Sequence, residues 1–125
     1  MDEFYLSEEI MEWVGLKKSE YLSRLIENID QDDIQFEEYL RFDEMIPVTL
    51  AQSDWSIETI EDKQRLKTFC RSFVDKEVVH QIVVGVLVAD QEQKDVFVPI
   101  ISFVTKKEKL VNLFSAGKMT RPTLN

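Results

Sequence analysis

The chain has 125 residues, 44% of them apolar, with three glycines, three prolines and one cysteine, enough to bury a core in a single domain (residues 1–125) without disulfide staples. Its net charge of −9 is unevenly held: residues 1–62 carry 18 Asp and Glu against 4 Lys and Arg, a net of −14, and residues 63–125 carry 6 against 11, a net of +5. A lone Cys70 excludes an internal disulfide, no apolar run is long enough for a membrane-spanning helix, and no leader-like N-terminus is present, so a cytoplasmic setting is expected; the acidic half is ill suited to bind nucleic acid directly and calls for a basic ligand.

Ser7 can cap a first helix over 8–14, with Glu8 and Glu9 at its positive end, Ile10, Trp13 and Val14 on one face, and Gly15 as terminator. Ser19 then opens a second helix over 20–29, whose stripe is Leu22, Leu25, Ile26 and Ile29. Asp30-Gln31-Asp32-Asp33 breaks the pattern and caps a third, where Phe36, Tyr39, Leu40 and Met45 run at helical spacing until Pro47. Val48-Thr49-Leu50 reads as a short strand before a turn at Ser53-Asp54. Thr59-Ile60-Glu61-Asp62 has the form of a capping box, and Leu66, Phe69, Cys70 and Phe73 follow at i, i+3, i+4, i+7, which predicts a helix over 60–74.

Two runs of strong β-propensity, 78–89 and 96–104, flank the polar residues 90–94 and predict a hairpin. Both of its faces carry apolar side chains, so both need cover. Pro99 cannot donate to a ladder and therefore marks an edge strand or a bulge. Thr105-Lys106-Lys107-Glu108 can cap a last helix ending at Gly117, with a loose tail over 118–125. The expected fold is α+β: an antiparallel sheet built on the 78–104 hairpin and packed against several helices. Its core should include Leu22, Leu25, Ile26, Leu66, Phe69, Phe73, Val84, Val86, Ile100 and Phe103.

Catalytic chemistry finds no foothold. One His and one Cys cannot make a zinc site; Cys70 reads as a small buried hydrophobe and His80, among valines, as a structural histidine. A calcium loop starting at Asp30 would need Gly and Glu where this chain has Gln35 and Arg41. Asp90, Glu92 and Lys94 have the residue types of a metal-dependent nuclease but share one short turn, which favours a solvated loop. With no glycine-rich phosphate loop, no catalytic residue, cofactor or metal is expected, and the chain reads as a binding protein rather than an enzyme.

What remains is the acidic region from Glu27 to Asp62, opposed only by Arg41 and interleaved with Phe36, Tyr39, Phe42 and Trp55. Carboxylates steer a basic partner from a distance, and one or two exposed aromatics can anchor it. The candidate contact set is Asp30, Asp32, Asp33, Glu37, Glu38, Tyr39, Asp43, Glu44 and Trp55. In type, a small, acidic, cysteine-poor α+β protein without a catalytic motif resembles the immunity proteins of bacterial contact-dependent growth-inhibition systems. That group shares no motif, so the resemblance implies a role and no residues: to bind and neutralise one cognate nuclease toxin, an RNase or tRNase, whose RNA-binding cleft is basic. The alternative is an acidic adaptor or secretion-chaperone-like protein that takes a polypeptide on the strand edge at 96–104.

Overall fold

The computed structural model describes residues 6–115, and within them each strand pairs antiparallel with its neighbour in sequence. The order is α1 (Glu8–Asn28), a 3₁₀ helix (Phe36–Phe42), α2 (Met45–Ala51), β1 (Trp55–Glu61), β2 (Gln64–Asp75), β3 (Val78–Gln91), β4 (Lys94–Thr105) and α3 (Glu108–Ser115). The sheet is a four-stranded meander, β1-β2-β3-β4. No helix among the described residues is long and apolar enough to cross a membrane.

Side chains alternate across the sheet, and both faces are covered. On one, Ile82, Val84, Val86 and Val88 of β3 join Phe69 and Val104 beneath Ile34, Phe42 and the half-buried Tyr39, Met45, Ile46 and Leu50. On the other, Val83 meets Cys70, Trp55 and Phe103 under Leu25 of α1 and Leu110 and Val111 of α3, while Leu66, Leu87 and Ile100 lie under Val14. The fold is thus α+β, a sheet between two unequal helical layers.

The 78–104 hairpin is as expected, except that the strands continue into the polar residues and close on Glu92-Gln93 alone. Pro99 fulfils both of its alternatives. β4 is an edge strand, and the register jumps from Gly85↔Ile101 to Val86↔Pro99, leaving Ile100 as the extra residue of a bulge. The last helix forms, and Thr105 Oγ1 accepts from Lys107 N at 2.9 Å at its start. Its expected terminator Gly117 and the expected tail over 118–125 lie outside the described residues.

Four expectations are corrected. The two helices over 8–14 and 20–29 are one 21-residue helix: Gly15 costs a helix interior only about 1 kcal/mol, and long packed flanks outweigh that. The helix over 60–74 is the β1–β2 hairpin. Its helical spacing was an accident of a strand buried on both faces, since Leu66 and Cys70 point to one layer and Phe69 and Phe73 to the other. The strand over 48–50 belongs to α2, because Pro47 falls in that helix's first turn, where no backbone donor is needed. In the core, Leu22 and Ile26 are exposed and Phe73 is half-buried, whereas the other seven positions are buried.

All three hairpins close on two residues with positive φ, and none of the six is glycine: Asp62-Lys63 at 53° and 69°, Lys76-Glu77 at 53° and 69°, Glu92-Gln93 at 55° and 67°. These are the angles of a type I′ turn, which suits the strand twist but strains a side chain by about 1 to 2 kcal/mol per residue. Replacing Lys76-Glu77 by Asn-Gly should therefore raise stability by about 1 kcal/mol or more, read as a shift of the urea midpoint at constant slope. An unmoved midpoint would show that this turn carries no such strain.

Candidate functional site

The acidic region separates into carboxylates that hold the fold together and carboxylates that do not. Asp33 is buried. Its Oδ1 accepts from Ile34 N at 2.8 Å and from Lys106 N at 2.7 Å, and Thr105 Oγ1 donates to its Oδ2. This one side chain fastens the loop after α1 to the junction of β4 and α3. Around it Asp30 pairs with Lys109 at 3.0 Å and Lys107 at 3.6 Å, and Asp32 pairs with Lys107 at 3.2 Å. The Lys107 hydrogen bond holds the Asp32 carboxyl below its ordinary pKa, helped by that ammonium's charge. The positive charge of the second half is therefore spent partly within the molecule.

The same holds toward the β1–β2 turn. Lys17 of α1 is buried and donates to Glu61 and to Glu20, the latter at 3.0 Å; burial alone would lower its pKa, but these carboxylates raise it above the ordinary value. Trp13 Nε1 donates to Asp62 Oδ2 at 2.9 Å, Arg65 pairs with Glu58 at 2.9 Å, and Asp54 accepts from Ser72 N at 2.7 Å. Glu38 is occupied as well: it accepts from Gln35 N at 3.3 Å, closing the first turn of the 3₁₀ helix, and reaches Arg41 at 3.9 Å.

Of the twelve carboxylates from Glu27 to Asp62, only Glu27, Glu37, Asp43 and Glu44 make no side-chain hydrogen bond or ion pair among the described residues. Three of these four fall within eight residues, on the 3₁₀ helix and the start of α2. Leu40, 77% exposed, falls among them, and Phe36, 39% exposed, immediately precedes Glu37. Leu40 was read as part of an apolar stripe, and the helix type explains the error. At three residues per turn Phe36, Tyr39 and Phe42 share one face, buried at Phe42 and opening to solvent at Phe36, and Leu40 points away from it.

Two expected contact residues are withdrawn by burial. Trp55, at the head of β1 opposite Cys70, is 6% exposed in the layer under α1 and α3, and Asp33 is equally buried. Tyr39 is half-buried, packs into both layers and meets Phe36 edge-on at 5.4 Å between centroids. Burial, and then the charge of Asp33, push its phenol well above the ordinary tyrosine range, and its hydroxyl finds no hydrogen-bond partner among the described residues. Asp30 and Asp32 are at the surface with lysines beside them; Glu37, Asp43 and Glu44 are exposed. The compact candidate surface is therefore Phe36, Glu37, Leu40, Asp43 and Glu44.

His80 is buried, with Nδ1 2.9 Å from the Val78 carbonyl and its ring against Phe73 and Phe42 at 5.4 and 6.0 Å, and Cys70 is buried on β2 rather than on a helix. The described residues contain no group of three or more His, Cys, Asp or Glu placed to hold a metal ion. Comparison with protein-family models, with curated proteins and with solved structures gives no match to this chain.

Two substitutions test this division. Asp33→Ala should destabilise the fold by about 2 to 4 kcal/mol, because it leaves a buried hydroxyl and two amides without their acceptor, whereas Asp32→Ala should leave the urea midpoint nearly unmoved. Similar small losses for both in urea unfolding would remove Asp33 from its structural role. Tyr39→Phe should raise stability by about 1 kcal/mol by deleting a buried unpaired hydroxyl. A lowered midpoint would mean that the hydroxyl has a partner.

Proposed function

We propose that this protein is an inhibitor that binds a basic protein partner on the surface formed by residues 36–44, and that the partner is a nuclease toxin of the kind neutralised by the immunity proteins it resembles in type. The observation that carries this reading is the grouping of three carboxylates without internal partners, Glu37, Asp43 and Glu44, around the exposed Phe36 and Leu40. Carboxylates that served folding would be paired, as Asp30, Asp33, Glu58 and Glu61 are. Left unpaired in a chain of net −9, these three repel one another, a cost that a basic partner reverses. A cleft that holds RNA presents such a basic surface, and apolar side chains at the centre of the acidic patch supply the desolvated anchors that steering charges do not.

The competing reading, an adaptor that adds a polypeptide strand to the sheet, would use the outer edge of β4. Pro99 lacks a donor there and the Ile100 bulge breaks the register, so only short stretches of that edge suit strand addition. The side-chain surface over 36–44 has no such interruption.

The test is co-expression with the product of the neighbouring gene, scored by cell growth and by RNA cleavage in vitro. Glu37→Lys, Asp43→Lys and Glu44→Lys together should leave the melting temperature nearly unchanged, since exposed charges alter stability by about 0.5 kcal/mol or less each. Association at low salt should slow by about 10-fold or more, with the difference shrinking as the Debye length falls to about 8 Å. Phe36→Ala and Leu40→Ala should act on dissociation instead. Equal protection by wild type and triple variant at every salt concentration would overturn the assignment.

A further inference from the structure

On the sheet face opposite Phe42 and α2, a cavity of about 170 Å³ lies over the β1–β2 hairpin, between α1 and α3. Thr59 and Leu66 are paired across the ladder and form its floor with Thr68, while Tyr21 and Arg24 of α1 wall one side and Leu113 of α3 the other. Its rim carries Glu20 and Glu61.

The charges around this cavity are already balanced. Lys17 bridges Glu20 and Glu61, and Arg24 donates to Glu20 at 3.4 Å with its guanidinium 5.1 Å from the centre of the Tyr21 ring and 5.5 Å from that of Phe114. Two carboxylates therefore face two cations, and the site has no net charge to offer an ion. These contacts fix the side chains without exhausting their hydrogen bonds. Both Glu20 oxygens are taken, but Glu61 Oε1 and Arg24 Nη1 bond to nothing among the described residues. Neither do the hydroxyls of Tyr21, Thr59 and Thr68. Burial, and then the charge of Glu61, raise the Tyr21 phenol above its ordinary pKa, so it keeps its proton and can donate.

The unused set is thus one acceptor, one donor and three hydroxyls that can do both, beside the apolar side chains of Leu66 and Leu113. A ligand with adjacent hydroxyls, each both donor and acceptor, meets every member of it. A phosphate or carboxylate would come against two glutamates, and an ammonium against Arg24 and Lys17, with no surplus of opposite charge to offset desolvation. Size agrees, since a cavity of about 150 Å³ accommodates a six-membered ring.

We infer that this cavity binds a neutral sugar of pentose or hexose size, its hydroxyls on Glu61, Arg24, Tyr21, Thr59 and Thr68 and its apolar face toward Leu66 and Leu113. Nothing in the site involves residues 36–44, so it stands or falls apart from the inhibitor reading.

The probes are three neutral sugars, D-glucose, D-galactose and D-ribose, and their charged counterparts D-glucosamine, D-glucuronate and ribose 5-phosphate. In methyl NMR of the full chain, at least one neutral sugar should shift Ile57, Leu66 and Leu113 saturably while methyls of the opposite face, such as Ile46 and Leu50, stay in place. Its charged counterparts should bind at least tenfold more weakly. Thr68→Val and Tyr21→Phe each remove one hydroxyl and keep the shape of the side chain; each should weaken the bound sugar at least fivefold with the melting temperature kept. No saturable shift with any neutral sugar would overturn the inference and leave the cavity to water. A charged counterpart that binds as tightly would overturn it too, by making the site one for an ionic group, and so would two folded variants that bind as the wild type does.

Discussion

Ile82 to Val88 are seven consecutive buried residues in the middle of a sheet, and the rest of the chain is arranged to keep water from both of their faces. A strand alternates its side chains, so no single layer can cover such a run. Burying a valine or leucine is worth roughly 1.5 to 3 kcal/mol, against 0 to about 1 for an exposed ion pair, and this sets the order in which constraints are met. β2 and β4 satisfy the ladder on either side, α1 with α3 covers one face, and the segment 34–50 covers the other. Gly85 leaves room for its cross-strand neighbour on β4, while the α1 ring beyond it stands at ordinary contact distance. A Cβ there would come to 3.2 Å from Ile101 Cγ2 and 4.0 Å from a Tyr21 ring carbon.

That two-sided burial also explains what could be read from the sequence. The hairpin at 78–104 was legible because valine-rich runs separated by polar residues have few other uses, and Pro99 told of the edge and the bulge. β2 was not legible: with both faces covered, Leu66, Phe69, Cys70 and Phe73 are all partly or wholly hidden, and their spacing matches a helix as well as a strand. The turn Asp62-Lys63 gave little warning either, since Asp tolerates positive φ but Lys63 stands where such a turn prefers glycine. In the acidic region the sequence located the candidate segment but not its members. Asp33 and Asp32 are neighbours of one residue type, and only the approach of Thr105 and Lys106 makes the first a buried acceptor while the second stays at the surface.

The opposite charges of the two halves follow from the same assembly. Asp30 and Asp32 lie against Lys107 and Lys109, and Glu58 against Arg65, so part of the asymmetry is complementarity between segments that pack together. Composition therefore overstates the charge available to a partner. What bears on binding is the remainder after internal pairs are removed, and within the acidic region from Glu27 to Asp62 three of the four such carboxylates lie between Glu37 and Glu44.

The edge of β4 sets stability against recognition. An exposed apolar edge strand is a template for unwanted pairing, and the usual remedy is charge along the strand. Here, from Val96 to Thr105, there is none. Protection comes from geometry: a proline without a donor and a bulge that takes Ile100 out of register and into the layer under α1. Charges on that strand would have made its side-chain surface polar, whereas Pro99 and the Ile100 bulge disrupt backbone pairing and leave that surface apolar. A sheet edge defended in this way stays open to side chains while its backbone is poorly suited to strand pairing.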